Sequence, residues 1–525
     1  MAAALEFTVD GRPIEVPDDG ASLMEVLRDR LGIRAVKDGC SPQGQCGCCT
    51  VWVDGKPRVS CVTPARRVAG REVTTMAGLP ADVRSGWSEA FCAAGASQCG
   101  FCTPGIIMRL AGLEARSGAD RPRVVGDQPR SAAATALAAH LCRCTGWQTI
   151  LEAWEGYGTA VPQRNWPAAA RRAELEGGVA QAVGPDVASG EGGFADDTAP
   201  EGALVALSDG QGGWALGETV AEARAAAGKV QGRRTPAEAL MPLAFPEGDW
   251  AVRLRTSWVE PAYLETDASW CTPGGEPATP LANGGAFGAK LASPLPGVAR
   301  KLADEHGRPV RVLWSREDTV RHGPKRPPMA IGVNANGRGL VRVVRTPGVA
   351  EAIALVAPGL KVEEVAIAGP PTSVAMRGAG WVEAAVALSF LHDGTQPMVA
   401  PDGGSARAEW SEGGFRVQVR GGNPLDEIVL RSYCIGAAHM AYSWVTSEAL
   451  TVDLHGEVHD LTIRSFGVVP ASRMPPVEVE IEPSDDPPVN CSDAVFAAVA
   501  AATWRVAGYP ADWPTGPLPG QPDWL

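Results

Sequence analysis

The chain of 525 residues is predicted to be a multidomain α+β protein, because its sequence pattern changes three times. Residues 5–76 contain short hairpins around an apolar helix, and residues 77–158 show the apolar spacing of helices. From about residue 250 onward, strand-like and helix-like pieces alternate. A chain of this length is expected to form three or four domains.

The first predicted domain, residues 1–76, has the pattern of a small β-grasp domain. The stretch "LEFTVDGRPIEV" predicts two strands around an Asp-Gly turn, and "ASLMEVLRDRLG" predicts a helix that ends at Gly32. The stretch "CTVWVDGKPRVSCV" predicts a second hairpin that turns at Asp54 and Gly55. Two hairpins, a helix and a cysteine-rich loop between them favour this fold.

The rest of the chain is predicted to form three further segments. Residues 77–158 are expected to form a helical domain. Residues 159–250 are rich in Ala, Gly and Asp, and they are expected to be a linker or a reduced connecting region. Residues 251–525 are expected to form an α+β region.

Composition and charge exclude several classes of protein. The net charge of -13 argues against a nucleic-acid partner, which needs a clustered positive surface. No run of 18 apolar residues predicts a membrane span, and the first residues lack the pattern of a secretory signal. A cytoplasmic location is therefore expected, where cysteines stay reduced and clustered cysteines bind metals or act in catalysis.

The cysteines lie mostly in the first third of the chain. Ten of the thirteen precede residue 145. Cys40, Cys46, Cys49 and Cys61 are separated by five, two and eleven residues. Plant-type [2Fe–2S] proteins have four and two residues in the first two gaps, so the spacing is ferredoxin-like with one extra residue. Cys48 is expected to be a small side chain in a tight loop.

A second group of cysteines consists of Cys99 and Cys102, then Cys142 and Cys144. Both pairs are predicted at helix ends, where free N–H groups favour anionic sulfur. Structural zinc is the alternative for such pairs, although one residue between Cys142 and Cys144 is unusual for a zinc ribbon. The two groups together favour two iron–sulfur clusters. The other four cysteines are expected to be buried bystanders: Cys92, Cys271, Cys434 and Cys491.

The segments "GCSPQGQCGCCTVWVDGKPRVSC", "SQCGFCTPG" and "LCRCTGWQTI" resemble the cluster motifs of the xanthine oxidase family of molybdenum hydroxylases. The resemblance covers residues 1–158 and implies a β-grasp [2Fe–2S] domain followed by a four-helix [2Fe–2S] domain. It implies that the Cys40 group binds the cluster nearer a flavin, and that the Cys99 group binds the cluster nearer a molybdenum cofactor. It also implies that Gln98 hydrogen-bonds the pterin and that Cys144 lies beside it.

Fragments of the second half resemble the molybdopterin-binding subunit of the same family. They include "EPAYLETDASW", "NGGAFGAK", "SVAMRGAG" and "DDPPVNCSDAVFAAVAAATWRVAG". The resemblance implies that two loops approach the molybdenum centre and its pterin. The residues of these loops are Gly284, Gly285, Phe287, Gly288, Arg377 and Gly378.

The second half also departs from the family pattern. It is shorter than the family's molybdenum subunit, and Asp486 stands where the family has a catalytic glutamate. Aspartate is one methylene shorter, and a misplacement of about 1 Å can cost roughly a hundredfold in rate. Ser389 stands where the family tends to have an acidic residue. We therefore expect a shortened region without hydroxylation chemistry of its own.

The sequence predicts an iron–sulfur electron-transfer subunit of a molybdenum hydroxylase. Electrons would pass from a molybdopterin cofactor, contacted from or held by a partner subunit, through two [2Fe–2S] clusters to FAD on another partner. One alternative is a compact, self-contained molybdenum enzyme with Asp486 or Glu265 as the base. A second alternative is a structural zinc-binding protein.

Overall fold

The computed structural model describes residues 4–117, 127–228, 240–284, 286–519 and 521. The strands are β1 Ala4–Val9, β2 Arg12–Pro17, β3 Thr50–Val53, β4 Lys56–Val59, β5 Glu72–Thr74, β6 Leu204–Ser208, β7 Trp214–Gly217, β8 Val252–Arg255, β9 Ala268–Cys271, β10 Val310–Leu313, β11 Met329–Val333, β12 Gly339–Val344, β13 Leu360–Val365, β14 Met398–Val399, β15 Ser405–Ser411, β16 Gly414–Arg420 and β17 Val477–Ile481. The helices are α1 Leu23–Glu25, α2 Ala81–Ala94, α3 Thr103–Ser117, α4 Asp127–Ala136, α5 Gln148–Gly156, α6 Trp166–Gly177, α7 Pro185–Ser189, α8 Ala195–Thr198, α9 Val220–Ala227, α10 Leu295–His306, α11 Arg316–His322, α12 Val349–Val356, α13 Trp381–Ser389, α14 Glu427–Thr446 and α15 Ser492–Val506.

The first domain is a β-grasp domain with a five-stranded sheet in the order β2-β1-β5-β3-β4. Strand β1 alternates polar and apolar residues, so Leu5, Phe7 and Val9 lie on its buried face. Helix α1 continues as a π-helical stretch over Val26–Arg30, and its apolar side chains are buried within the same core. The cysteine loop lies between this helical segment and β3.

The second domain consists of the four helices α2 to α5, as the family resemblance implied. Helix α2 packs against α5, and the Trp87 ring stacks on Trp154 at 5.9 Å and on Tyr157 at 4.0 Å between centroids. Helix α3 begins directly after Cys102, and α5 begins shortly after Cys144. The packing of these helices therefore brings two distant pairs of cysteines to one end of the domain.

The connecting region differs from the expectation of a linker or reduced connection. Within residues 159–228 the chain forms α6, α7, α8, β6, β7 and α9. Strand β6 pairs in parallel with β10, in a sheet with the order β7-β6-β10-β9. Short alanine-rich helices give little contrast between apolar and polar faces, so periodicity did not reveal them. Residues 229–239, also in the expected linker, lie outside the described residues.

The larger α+β region contains two more sheets, with the orders β13-β12-β11-β8 and β14-β15-β16-β17. Its core is built on α14, which is buried over most of its length and packs against the alanine-rich α15. Helix α14 also touches the helical domain. A Cβ at Gly436 would lie 1.8 Å from the carbonyl oxygen of Cys144, so only glycine permits this approach.

Within the described ranges, no helix is both long enough and apolar enough to cross a lipid bilayer.

Candidate metal centres and adjoining cavity

The structure brings together the four cysteines of the first predicted group. Cys40, Cys46, Cys49 and Cys61 are all buried. The Cys40 thiol lies within hydrogen-bonding range of Cys46 and Cys61, and Cys61 lies within the same range of Cys49. Hydrogen bonds from these neighbours hold the pKa of Cys40 well below its ordinary value. We call this set the outer quartet.

Backbone N–H groups point at the sulfur atoms of the outer quartet. The N–H of Gln43 donates to Cys40 Sγ at 3.2 Å, and the N–H of Cys61 donates to Cys49 Sγ at 3.4 Å. Residues 44 and 47 of the loop are glycines with positive φ, which allows it to curl around the thiols. Such donors stabilise negative charge on sulfur.

The second predicted group also comes together, and it forms two pairs. The sulfur atoms of Cys99 and Cys144 lie 3.5 Å apart, while the Cys102 thiol hydrogen-bonds that of Cys142. The bond with Cys102 lowers the pKa of Cys142 to about 7, with a contribution from Thr145, whose hydroxyl lies 3.1 Å from the same sulfur. We call this set, Cys99, Cys102, Cys142 and Cys144, the inner quartet.

The chemistry of both quartets fits a [2Fe–2S] cluster. Four cysteines are the usual ligand set, and each of the two irons takes two thiolates, which agrees with the paired sulfurs of the inner quartet. Each quartet therefore supplies the four thiol ligands that one [2Fe–2S] cluster needs.

The two quartets are directly connected through the backbone. The N–H of Leu141, which precedes Cys142, donates to the carbonyl oxygen of Cys46 at 3.0 Å. Helix α3 approaches the outer loop at Gly105, where a Cβ would lie 2.5 Å from the carbonyl oxygen of Gly47. Cys48 is buried next to this contact. A hydrogen bond with Cys46 lowers the pKa of Cys48, but burial and the nearby thiols of both quartets outweigh it and raise that pKa. The outer loop and the inner quartet are therefore one packed unit.

The four cysteines predicted to be bystanders are buried as free thiols: Cys92, Cys271, Cys434 and Cys491. Burial raises the pKa of Cys92 and of Cys491 to about 12, which keeps both thiols protonated and unreactive at neutral pH.

A cavity adjoins the inner quartet, and it contains about 620 Å³ of space free of protein atoms. We call it the inner cavity. Gln98 lies in its wall and donates from Nε2 to the carbonyl oxygen of Cys144 at 3.1 Å and to Ser432 Oγ at 2.9 Å. The lining residues are Gln98, Cys99, Cys102, Arg143, Cys144, Gly177, Gln181, Phe194, Tyr263, Leu264, Glu265, Gly284, Ala286, Phe287, Lys290 and Tyr433.

The two predicted cofactor loops meet at Phe287, which lines the inner cavity. The N–H of Arg377 donates to the carbonyl oxygen of Phe287 at 3.0 Å, and the Arg377 guanidinium lies 5.1 Å from the Phe287 ring centroid. A Cβ at Gly288 would lie 1.7 Å from the carbonyl oxygen of Ala375, so the loops touch where glycine is required. Gly285 lies outside the described residues.

Arg377 itself faces a smaller neighbouring cavity, which has about 350 Å³ of space free of protein atoms and shares Phe287 and Arg143 with the first. Gly284 lines the inner cavity, whereas Gly378 lies against the indole of Trp381. Of the predicted loop residues, Gly284 therefore lines the inner cavity, Arg377 lines the smaller one and Phe287 lines both.

Of the two candidate bases, Glu265 lies in the inner cavity. It is buried, and Lys290 Nζ donates to its Oε2 at 2.5 Å. Burial raises the pKa of Glu265 to about 7, although Lys290 acts in the opposite direction. The lysine also lies 5.1 Å from the centroid of the Tyr263 ring. A carboxyl group with a pKa near neutrality suits proton transfer.

The other candidate base, Asp486, is exposed and lines neither cavity. Its carboxylate accepts a hydrogen bond from Ser484, two residues away. The loop before α15 therefore holds Asp486 at the surface, away from both cavities, and its role as a base stays a prediction. Ser389 ends α13, and its hydroxyl donates to the carbonyl oxygen of Val386 at 2.7 Å.

The sequence analysis did not single out several cavity residues. Lys290 lies at the end of the motif "NGGAFGAK", so the motif already contained this signal. Tyr433 donates from its hydroxyl to Gln181 at 2.6 Å, and this pair joins α14 to the connecting region. No pattern in the sequence indicated that pair, because 252 residues separate its members.

Comparisons with known proteins support two [2Fe–2S] domains in the first part of the chain. Residues 7–77 match the family described as 2Fe-2S iron-sulfur cluster binding domain, and residues 75–155 match the family described as [2Fe-2S] binding domain. The chain is 39% identical over 151 residues to the xanthine dehydrogenase iron-sulfur-binding subunit of Escherichia coli O157:H7. This match covers 28% of the chain and 89% of that subunit.

This chain belongs to the xanthine oxidase family of molybdenum hydroxylases.

Two aldehyde oxidoreductases of this family are also similar. The chain is 39% identical over 142 residues to that of Megalodesulfovibrio gigas, a match that covers 26% of this chain and 14% of that protein. The crystal structure of the aldehyde oxidoreductase from Desulfovibrio desulfuricans aligns with a TM-score of 0.69 at 14% identity. That alignment covers 99% of this chain and 100% of the other. The second half of this chain therefore shares the fold of that aldehyde oxidoreductase.

Proposed function

We propose that this chain is the electron-transfer component of a molybdenum hydroxylase of the xanthine dehydrogenase or aldehyde oxidoreductase type. The observation that carries the proposal is the contact between the two cysteine quartets, together with the inner cavity at the second of them. The two clusters would supply one-electron carriers in series between a molybdopterin cofactor and FAD on a partner subunit.

The residues of the quartets would hold and tune the clusters. Cys40, Cys46, Cys49 and Cys61 would be the ligands of one cluster, and the N–H groups of Gln43 and Cys61 would stabilise charge on its sulfurs. Cys99, Cys102, Cys142 and Cys144 would be the ligands of the other. The hydroxyl of Thr145 would hydrogen-bond the Cys142 thiolate.

The inner cavity would receive the pterin of the molybdenum cofactor. Gln98 is held in its wall by Cys144 and Ser432, in a position to hydrogen-bond a heterocycle. Gly284 leaves backbone exposed beside Cys99, where a built Cβ would lie 3.4 Å from the Cβ of Cys99. A molybdopterin-binding partner subunit and an FAD-binding partner subunit would complete the enzyme.

A compact, self-contained molybdenum oxidoreductase is the second candidate, and Glu265 is the observation that favours it. Its carboxyl group lies in the inner cavity with Lys290 beside it. This candidate predicts that the chain purified alone contains molybdenum and pterin. The electron-transfer proposal predicts iron in the isolated chain, with molybdenum and FAD bound to partner subunits purified from the native source.

The routing can be tested with Cys46→Ser in the complex purified with its partners. We expect loss of the outer cluster signal in electron paramagnetic resonance, an intact inner cluster signal and slow reduction of the flavin. Cys48→Ser is the matched control, because it changes a neighbouring thiol that belongs to neither quartet, and it should leave both signals in place. Fast flavin reduction in Cys46→Ser would contradict the route. Zinc without iron in the wild-type chain would favour the structural zinc alternative.

A further inference from the structure

Three cavities follow one another from the inner quartet to the surface. The inner cavity shares Phe194 and Glu265 with a second cavity, which has about 660 Å³ of space free of protein atoms. We call it the charged cavity, because two arginines and six carboxylates line it: Arg28, Arg224, Glu25, Asp29, Asp38, Asp196, Asp197 and Glu265. The charged cavity shares Asp197 with a third one, whose rim includes the exposed residues Glu201 and Glu218.

The junction between the first two cavities is a carboxyl group with a free oxygen. Glu265 is 8% exposed, and its Oε2 is bonded to Lys290. Its Oε1 is buried and has no hydrogen-bond partner among the described residues. An unsatisfied buried carboxylate oxygen is costly, and such atoms need an explanation in water, in an ion or in function. This oxygen is able to bind water or a proton where the two cavities meet.

The second and third cavities share Glu25, Asp29, Asp197 and Val220, and of the three carboxylates Asp197 is the most buried. The side chain of Asp197 is 9% exposed. Its Oδ1 accepts a hydrogen bond from Arg28 at 3.0 Å, and its Oδ2 accepts one from Lys37. Lys37 is itself fully buried, and burial lowers its pKa, whereas the carboxylates of Asp197 and Glu265 act in the opposite direction. The ammonium group of Lys37 therefore interacts electrostatically with both carboxylates, Asp197 and Glu265.

We propose that Glu265 and Asp197 form a proton route from the inner cavity to the surface. The route crosses the interface between the β-grasp domain, which contributes Arg28 and Lys37, and the second half, which contributes Glu265. The charged groups that face Glu265 are Lys290, Lys37, Asp197 and Asp267. Burial raises the pKa of Glu265 to about 7, which supports an exchange of protons near neutral pH.

The route rests on the proposed function, which requires such an exit. Hydroxylation by water, R–H + H2O → R–OH + 2 e⁻ + 2 H⁺, at a molybdenum cofactor that reaches the inner cavity from the partner subunit would send electrons to the clusters and release two protons there. The electrons go on to FAD on the partner subunit. The protons cannot follow them through sulfur and iron, so they need carboxylates and water. Glu265 Oε1 would accept each proton from the inner cavity, and water in the charged cavity would carry it past Asp197 to the rim.

The test measures how fast deuterium from D2O reaches the inner cluster of the full chain. Reduced protein is mixed with D2O and frozen at set times, and deuterium near the inner cluster is recorded by electron-nuclear double resonance. We expect Glu265→Gln to slow the fast exchange phase by about tenfold or more, because the amide keeps the shape but does not take up or release a proton near neutral pH. Glu265→Asp should recover part of the rate, and Glu305→Gln, an exposed carboxylate far from the route, should leave it unchanged.

A second variant keeps the test independent of Glu265. Asp197→Asn should also slow the exchange, and the double variant should be no slower than the slower single variant, because the two groups act in series. Wild-type exchange in Glu265→Gln, with both cluster signals intact, would overturn the route and leave the proposed function standing. Absence of both cluster signals in the wild-type chain would overturn the proposed function and the route with it.

Discussion

The first 158 residues and the rest of the chain assemble their functional residues in different ways. In the first part, three outer cysteines lie within ten positions, and one loop brings Cys40, Cys46 and Cys49 together. In the second part, Phe287 and Arg377 are ninety positions apart and meet through a backbone hydrogen bond between two loops. A site built from one loop has a recognisable spacing, whereas a site built from distant loops depends on the whole core.

Buried ion pairs join the two parts, and they differ in exposure from the ion pairs on the surface. Arg143, which lies between two inner cysteines, forms a bidentate pair with Glu448 at 2.6 and 2.7 Å. Arg28 in the first part and Asp197 in the second form another at 3.0 Å, also largely buried. On the exposed face of the last sheet, by contrast, Arg416 pairs with Glu478 at 3.2 Å while both side chains are more than half exposed. Only the buried pairs are expected to stabilise the joint measurably.

The largest effect is expected from Cys102→Ser, which breaks the inner quartet. The variant should lose about half of the bound iron and the inner cluster signal, since thiolates are the ligands of such clusters. Iron analysis and electron paramagnetic resonance would measure both. Cys92→Ser changes a buried thiol outside the quartets and serves as control. Full iron content in Cys102→Ser would show that Cys102 is not a ligand.

The joint between the two parts can be tested with Arg143→Met. Removing one member of a buried pair leaves Glu448 charged and unpaired, so the free energy of unfolding should fall by about 3–5 kcal/mol. Urea unfolding followed by tryptophan fluorescence would measure the change.

The double variant Arg143→Met with Glu448→Met tests whether the loss of stability comes from the unpaired charge of Glu448. It should recover a large part of the loss, because no uncompensated charge then remains in the interior. Equal losses in the single and double variants would mean that the pair contributes through shape and not through charge.

The pH dependence of stability offers a smaller effect at the inner cavity. The pKa of Glu265 is raised from its ordinary value of 4.5 to about 7, so the folded chain binds this proton more tightly than the unfolded chain does. The stabilising contribution is complete below pH 4.5 and is lost as the pH rises through about 7. Relative to Glu265→Gln, the wild type should lose up to about 3 kcal/mol of unfolding free energy between pH 4.5 and pH 8.

Urea unfolding of both proteins at several pH values would measure that difference, because other titrating groups cancel in the comparison. A constant difference across this range would show that Glu265 keeps its ordinary pKa in the folded chain.

The smallest effect is expected on the exposed face of the last sheet. Arg416→Ala removes a pair whose side chains remain largely in water, so the free energy of unfolding should change by less than about 1 kcal/mol. The same urea titration measures it beside Arg143→Met. A loss as large as that of Arg143→Met would contradict the distinction between the joint and the surface.

Parts of the candidate site could be predicted because their signals are local. The cysteine spacings, the Asp54-Gly55 turn and the helix that follows Cys102 each depend on a few neighbouring residues. The helices and strands of residues 159–228 could not be predicted, because alanine-rich helices have little contrast between faces. The exposed position of Asp486 could not be predicted either, because a motif does not show whether its loop points inward or outward.

By itself, the sequence determined the two cysteine quartets, the β-grasp and helical domains that hold them, and the family. The quartets and the domains follow from backbone turns and spacings of fewer than about twelve residues, apart from the 39 residues between the two inner pairs, whereas the family follows from the resemblance of the cysteine motifs. Only the tertiary structure decided that Glu265 rather than Asp486 faces the inner cavity, and that Lys290 pairs with it. The physical reason is that burial and charge pairing arise from elements that meet only when α14 and the sheets pack against the helical domain.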